Sequence, residues 1–98
     1  MIDYTDEALQ HVRALHRHYD ALDRDTAIRS LMRSLADAEA RIERTPGAGL
    51  PAPRPYPQLA RPGRAWIKSG RYWIVYATTT PPIIAGVFYD AADIPGRL

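Results

Sequence analysis

Basic and phenolic side chains converge in one stretch of this 98-residue chain in a way that suits phosphate chemistry. Arg64, Lys68 and Arg71 run into Tyr72 and Tyr76, with Tyr89 further on. Metal-free cleavage of a phosphodiester needs cations for the charge building on the phosphorus oxygens, together with an acid and a base. The three cations meet the first need and a tyrosine the second, but no residue presents itself as the base. Asp90 and Asp93 are carboxylates with nothing nearby to raise their pKa, so turn and cap roles are expected of them. His11, His16 and His18 are five and two residues apart, not the three or four that let two imidazoles on a helix share an ion. They read as solvent-exposed helix residues. No metal site and no cofactor is expected, and neither a GxSxG elbow nor a GxxxxGK[ST] phosphate loop is present.

Charge is unevenly placed. Residues 1–43 carry nine acidic and six basic side chains, a balance of −3. Residues 44–89 carry Arg44, Arg54, Arg61, Arg64, Lys68 and Arg71 and no carboxylate, a balance of +6. A cationic second half on a mildly acidic first half attracts an acidic protein, a nucleic acid or a nucleotide. Without cysteine the chain has no disulfide or thiolate metal site. An acidic N-terminus and the lack of a long apolar run make it read as a soluble cytoplasmic protein with no membrane contact.

The elements that must hold these residues follow from periodicity. Ile2 and Tyr4 suggest a very short strand. Thr5 reads as the N-cap of a helix from about Asp6 to Ala21, with Asp6 and Glu7 in the first turn and an apolar stripe of Leu9, Val12, Leu15, Tyr19 and Leu22. Asp23 or Asp25 is expected to cap a second helix ending near Thr45. Ile28, Leu31, Leu35, Ala38 and Ile42 form its apolar stripe, and Arg29, Arg33, Asp37 and Arg41 line another face. The short join makes the pair an antiparallel hairpin.

Residues 46–64 are a Pro/Gly-rich connection, read either as an extended polyproline arm or as an ordered loop packed by Leu50, Tyr56 and Leu59. From Ala65 to Tyr89 three short strands are expected, with a tight turn at Ser69-Gly70 and a wider one from Thr78 to Pro82. On the middle strand Tyr72, Ile74 and Tyr76 point to one face while Trp73, Val75 and Ala77 point to the other. Both faces are apolar, and one helical hairpin covers only one of them. Trp73 and Val75 are therefore expected to face a partner or a second copy of the chain. The tail, residues 90–98, is expected to dock as a loop or helical turn, or to be disordered when unbound. The fold class is α+β: one domain, residues 1–98, with an N-terminal helical hairpin on a short antiparallel sheet of three to four strands.

This order, with Pro46-x-x-Gly49, the Gly63-Arg64 step, Gly70-Arg71-Tyr72-Trp73-Ile74-Val75-Tyr76 and Val87-Phe88-Tyr89 to Ile94-Pro95, resembles the RelE/ParE superfamily of bacterial toxins over nearly the whole chain. The resemblance implies a cytoplasmic toxin of a type II toxin–antitoxin pair, neutralised by an antitoxin whose disordered segment folds on binding. RelE-like members cut messenger RNA on the ribosome; ParE-like members poison DNA gyrase without being nucleases. The ribonuclease branch has an arginine where this chain has Trp73, and basic residues or His where it has Asp90, Ala91 and Ala92. Arg71, two positions before Trp73, falls on the same face by the period of two.

The expectation is a ParE-like toxin that binds a protein target and forms a complex with its antitoxin or with itself. Arg64, Lys68, Arg71, Trp73 and Val75 are its partner-facing patch. A metal-independent ribonuclease using Arg64, Lys68, Arg71 and Tyr89 is the alternative, and a non-toxic interaction domain the third reading.

Overall fold

The computed structural model describes residues 2–90 and 93–97. Strand β1 (Asp3–Tyr4) leads into helix α1 (Asp6–Ala21) and helix α2 (Asp25–Arg44), and strands β2 (Arg64–Ser69), β3 (Tyr72–Ala77) and β4 (Ile83–Tyr89) complete the fold. The sheet order is β1-β4-β3-β2. The fold class is α+β, as the periodicities predict. The sheet is mixed rather than antiparallel throughout, because β1 runs parallel to β4 through Asp3↔Ile83 and Tyr4↔Ile84. Residues 91, 92 and 98 of the tail, and residue 1 of the expected first strand, lie outside the described residues.

Helix α1 begins where its cap requires: the Thr5 hydroxyl accepts the Ala8 N–H at 3.1 Å. Its buried side is carried by Ala8 and Tyr19, with Val12 and Leu15 partly covered, while Leu22 lies beyond the helix and is 53% exposed. Helix α2 starts differently from expectation. Its N-cap is Arg24, which makes no side-chain cap bond, and Asp25 is already in the first turn. Asp23 instead takes the tight corner between the helices at φ 51°, a left-handed conformation that Asp tolerates better than most residues.

Leu31, Leu35, Ala38 and Ile42 of α2 pack with Ala65, Ile67, Tyr72, Ile74, Tyr76, Ile84 and Val87 from one face of the sheet. A one-residue irregularity keeps β4 in this layer. Val75 pairs with Gly86 but Tyr76 with Ile84, so Ala85 is an extra residue. A bulge of this kind resets which side chains point inward, and Ile84 and Val87 both reach the helices although they are three apart.

The turn between β2 and β3 lies one residue later than the sequence suggests. Ser69 pairs with Tyr72, which leaves Gly70-Arg71 as the two loop residues, with Gly70 at φ 58°. Glycine at the first loop position is what a two-residue hairpin with positive φ only there demands. Arg71 therefore leaves the strand and does not share the face of Trp73.

The second face of the sheet is covered from within the chain, contrary to the expectation of an outside partner. Trp66, Trp73, Val75 and Phe88 form a second core with Ala52, Leu59 and Ile94, and with Leu50 and Tyr56 at its margin. Trp73 is 3% and Val75 2% exposed. The connection is thus an ordered loop rather than a polyproline arm. Its two short 3₁₀ turns, Pro46–Ala48 and Pro57–Leu59, flank Leu50, which exchanges both backbone hydrogen bonds with Trp66 at 2.7 Å.

Candidate functional site

The basic and phenolic residues singled out in the sequence do not form one constellation. Arg64 opens β2 and pairs with Ala77, whereas Arg71 lies in the turn beyond the other end of the strand. Five residues of extended chain separate Arg64 from Ser69, about 17 Å. Lys68 lies on the side of the second core, 5.9 Å from the centre of the Trp73 ring, and its ammonium is held by Asp90 at 3.2 Å. Arg54, from the connection, stands over the same ring at 5.6 Å. Asp90 thus acts as a charge partner for Lys68. Trp73 and Val75, expected to face a partner, lie instead beneath the connection.

Arg71 and Tyr89 are the members that the fold does bring together. The Arg71 guanidinium donates to the Tyr89 hydroxyl at 3.4 Å. They stand at the mouth of an open groove of about 1550 Å³ between the helical hairpin and the turn end of the sheet. His11, Leu15, His18 and Tyr19 line it from α1; Arg29, Ser30, Arg33 and Ser34 from α2; Tyr72 and Phe88 from the sheet. Asp23, Arg24 and Asp25, at the corner between the helices, also line it. The groove therefore holds four arginines, Arg24, Arg29, Arg33 and Arg71, against two carboxylates. Arg29 and Arg33 carried a legible signal, since residues four apart share a helix face, but the sequence did not disclose what that face looks onto.

Two tyrosine hydroxyls meet within this region. Tyr19 and Tyr72 are hydrogen-bonded to each other at 2.7 Å in buried surroundings. Burial first, and the Tyr19 bond second, push the Tyr72 phenol well above its ordinary pKa. Burial also raises Tyr4, whose hydroxyl donates to Glu39 at 2.7 Å, and Tyr76, whose hydroxyl donates to the Pro46 carbonyl at 2.6 Å. Such phenols are neutral at physiological pH: Tyr4 and Tyr76 are structural donors, to the Glu39 carboxylate and the Pro46 carbonyl, and Tyr72 shares with Tyr19 one hydrogen bond in which either hydroxyl can donate. Their raised values fix the sign of alkaline stability. The stabilisation is complete below the unfolded value of about 10 and is lost as pH rises above it towards the folded values. Urea midpoints should be flat from pH 7 to 9 and fall between pH 10 and 12. A midpoint unchanged at pH 11.5 contradicts this.

His11 is not a solvent-facing helix residue. Its Nδ1 accepts the backbone N–H of Val87 at 3.2 Å, and its ring lies 4.7 Å from that of Phe88. The Thr5 hydroxyl donates to the Ala85 carbonyl at 3.4 Å on the same flank of β4. On the opposite edge of the sheet, the Arg41 guanidinium donates to the Lys68 carbonyl at 2.9 Å and to Asp37 at 3.2 Å. The Ser69 hydroxyl stands 2.9 Å from the Asp37 carboxylate and 2.7 Å from the Ser34 carbonyl, and its bond to Asp37, followed by that from Arg41, keeps the Asp37 carboxyl below its usual range. The Leu50–Trp66 pairing and the Arg41–Lys68 bond occupy part of the outer edge of β2, and the Thr5 and His11 contacts lie along β4 beyond its short pairing with β1.

The groove gathers four arginines with serine, threonine and tyrosine hydroxyls. Among the described residues, no group of three His, Asp or Glu side chains is placed to hold a metal ion, and no helix is long and apolar enough to cross a membrane. In comparison with known proteins, the chain matches no family model and no curated relative.

Proposed function

We propose that this protein is a ParE-like toxin of a type II toxin–antitoxin pair, acting by contact with a cellular protein such as DNA gyrase and neutralised by a cognate antitoxin. The observation that carries the reading is the fate of the position where the ribonuclease branch places its arginine: Trp73 lies there, buried beneath the chain's own connection. The element order, a short strand, a helical hairpin and three antiparallel strands, supports the same reading. The protein contact falls to exposed side chains. Arg54, over the Trp73 ring on the outside of the second core, and the exposed Arg61 are the cations offered for it, with Lys68 already paired to Asp90.

Expression in a sensitive bacterial host should arrest growth, co-expression of the product of the adjacent gene should restore it, and a DNA-damage response should precede any fall in translation. Unimpaired growth at verified expression counts against the toxin reading. The Arg71–Tyr89 pair is the one observation favouring the ribonuclease alternative. Codon-linked cuts in the transcripts of arrested cells would establish that alternative in place of the first.

A further inference from the structure

Among the described residues, two large apolar side chains stand more than half in solvent: Leu22 at the corner between the helices and Met32 in the middle of α2. Met32 does not stand alone. Ala36 and Ala40 follow it at four-residue steps and are exposed as well, so the three form one apolar row on the helix surface. Arg29 and Glu43, both exposed, extend the row at its two ends. With Ala36 as origin, Arg29 and Glu43 fall about 20° to either side of it, and Met32 and Ala40 about 40°. Among the described residues, no carboxylate makes an ion pair with Arg29.

The row is matched about its centre in spacing and opposite in charge. Arg29 and Met32 precede Ala36 by seven and four residues; Ala40 and Glu43 follow it by four and seven. An isologous dimer demands this arrangement, because its two-fold axis sets each surface against itself. Two antiparallel α2 helices related by an axis at Ala36 would bring Ala36 against Ala36, Met32 against Ala40 and Arg29 against Glu43, the last two contacts each made twice. The alanines let the helix axes approach to about 8 Å, and the flexible Met32 side chain fills the space over Ala40. Glu43 needs no vacancy to take part, since a carboxylate accepts from several donors. Within one helix, Arg29 and Glu43 are about 21 Å apart and cannot meet. An unrelated partner would give no reason for charges of opposite sign at equal distances from one alanine. The symmetry therefore selects a second copy of the chain.

We propose that the exposed row of α2 is a self-complementary interface through which two copies of this protein associate, antiparallel, about a two-fold axis at Ala36. A single helix pair buries less than a standard interface, so the dimer is weak and reversible. The association does not depend on the toxin reading.

Sedimentation velocity of the full chain, from about 5 to about 500 µM, should show the mass rising from one chain towards two, as a low-area interface requires. Arg29→Glu and Glu43→Arg each turn both ion pairs into like-charge pairs, and each variant alone should associate about tenfold or more weakly. An equimolar mixture of the two variants should associate like the parent, because both pairs across the mixed dimer again have opposite signs. A second measurement fixes the axis. The chain has no cysteine, so Ala36→Cys supplies a single thiol that meets its own copy, whereas two copies of Ala40→Cys lie about 12 Å apart along the helices, too far for a disulfide. Under mild oxidation Ala36→Cys should cross-link at least about tenfold faster than Ala40→Cys. Both changes are small and exposed, so this comparison holds whether or not the charge variants keep the parent's stability. The proposal is overturned if the parent remains one chain across the whole range, or if the mixture associates no better than its components. Equal cross-linking of the two cysteine variants overturns it as well.

Discussion

Replacing Trp73 by arginine is expected to unfold the protein rather than arm it. The substitution restores the residue type that the ribonuclease branch of the resembling family carries on this strand, so on sequence grounds it looks like a gain of catalytic function. The packing argues otherwise. The indole is 3% exposed and packs with Trp66, Val75, Phe88, Ala52, Leu59 and Ile94. Losing a buried aromatic of this size costs about 3–5 kcal/mol before any other effect. The new guanidinium would also lie close to Arg54 and Lys68, both of which now stand within 6 Å of the ring face at 5.6 and 5.9 Å. An attraction of cations to the ring becomes repulsion among three cations, one of them partly desolvated. Against a total stability of about 5–15 kcal/mol for a domain of this kind, Trp73→Arg should lower the melting temperature by more than about 15 °C and yield no RNA cleavage. Circular dichroism melts of the parent, Trp73→Arg and Trp73→Phe decide the matter. A Trp73→Arg variant that melts with the parent would show that the second sheet face is not the closed core described above.

The contrast between the two faces of the sheet shows what could be read in advance. The helix-side layer was legible because its signals are local and periodic. Thr5 caps α1, the Leu31–Leu35–Ala38–Ile42 spacing marks the buried side of α2, and Tyr72, Ile74 and Tyr76 alternate on β3. The other layer depends on the connection, whose buried Ala52, Pro53 and Leu59 follow no period and pack against strands distant in sequence. Proline and alanine carry little hydrophobic signal, so an apolar strand face looked uncovered although its cover was already in the chain. The candidate site divides in the same way. The α2 arginines fall at helical spacing, but their meeting with Arg71 depends on the turn lying at Gly70-Arg71, one residue beyond the position that Ser69-Gly70 suggested. His11 gave no signal at all, because its partner is a backbone N–H on β4.

How the connection is fastened leads to the second large effect. Gly49 has φ −69° and ψ 158°, an extended conformation open to any residue, so its backbone does not require glycine. Its surroundings do. A Cβ at Gly49 would lie 2.5 Å from the Tyr76 hydroxyl and 2.7 Å from the Ala65 Cβ. The Ala65 methyl is fixed to the backbone of β2 and cannot turn aside, so the loop must lift. Lifting it strains the bond from the Tyr76 hydroxyl to the Pro46 carbonyl and the Leu50–Trp66 pairing one residue further on. Overpacking of this kind costs about 1–3 kcal/mol, and a buried hydroxyl left without its acceptor costs about as much again. Gly49→Ala should therefore destabilise by about 2–5 kcal/mol. Gly47→Ala, where nothing lies within 4 Å of the added carbon, should stay within about 0.5 kcal/mol of the parent. Tryptophan emission is the informative readout, because both indoles lie in the core that the connection closes. In Gly49→Ala it should shift to the red at urea concentrations where the helical circular dichroism is still native. If the two glycine variants unfold at the same midpoint, the connection is not held where Tyr76 and Ala65 place it, and the closure of the second core rests on its apolar contacts alone.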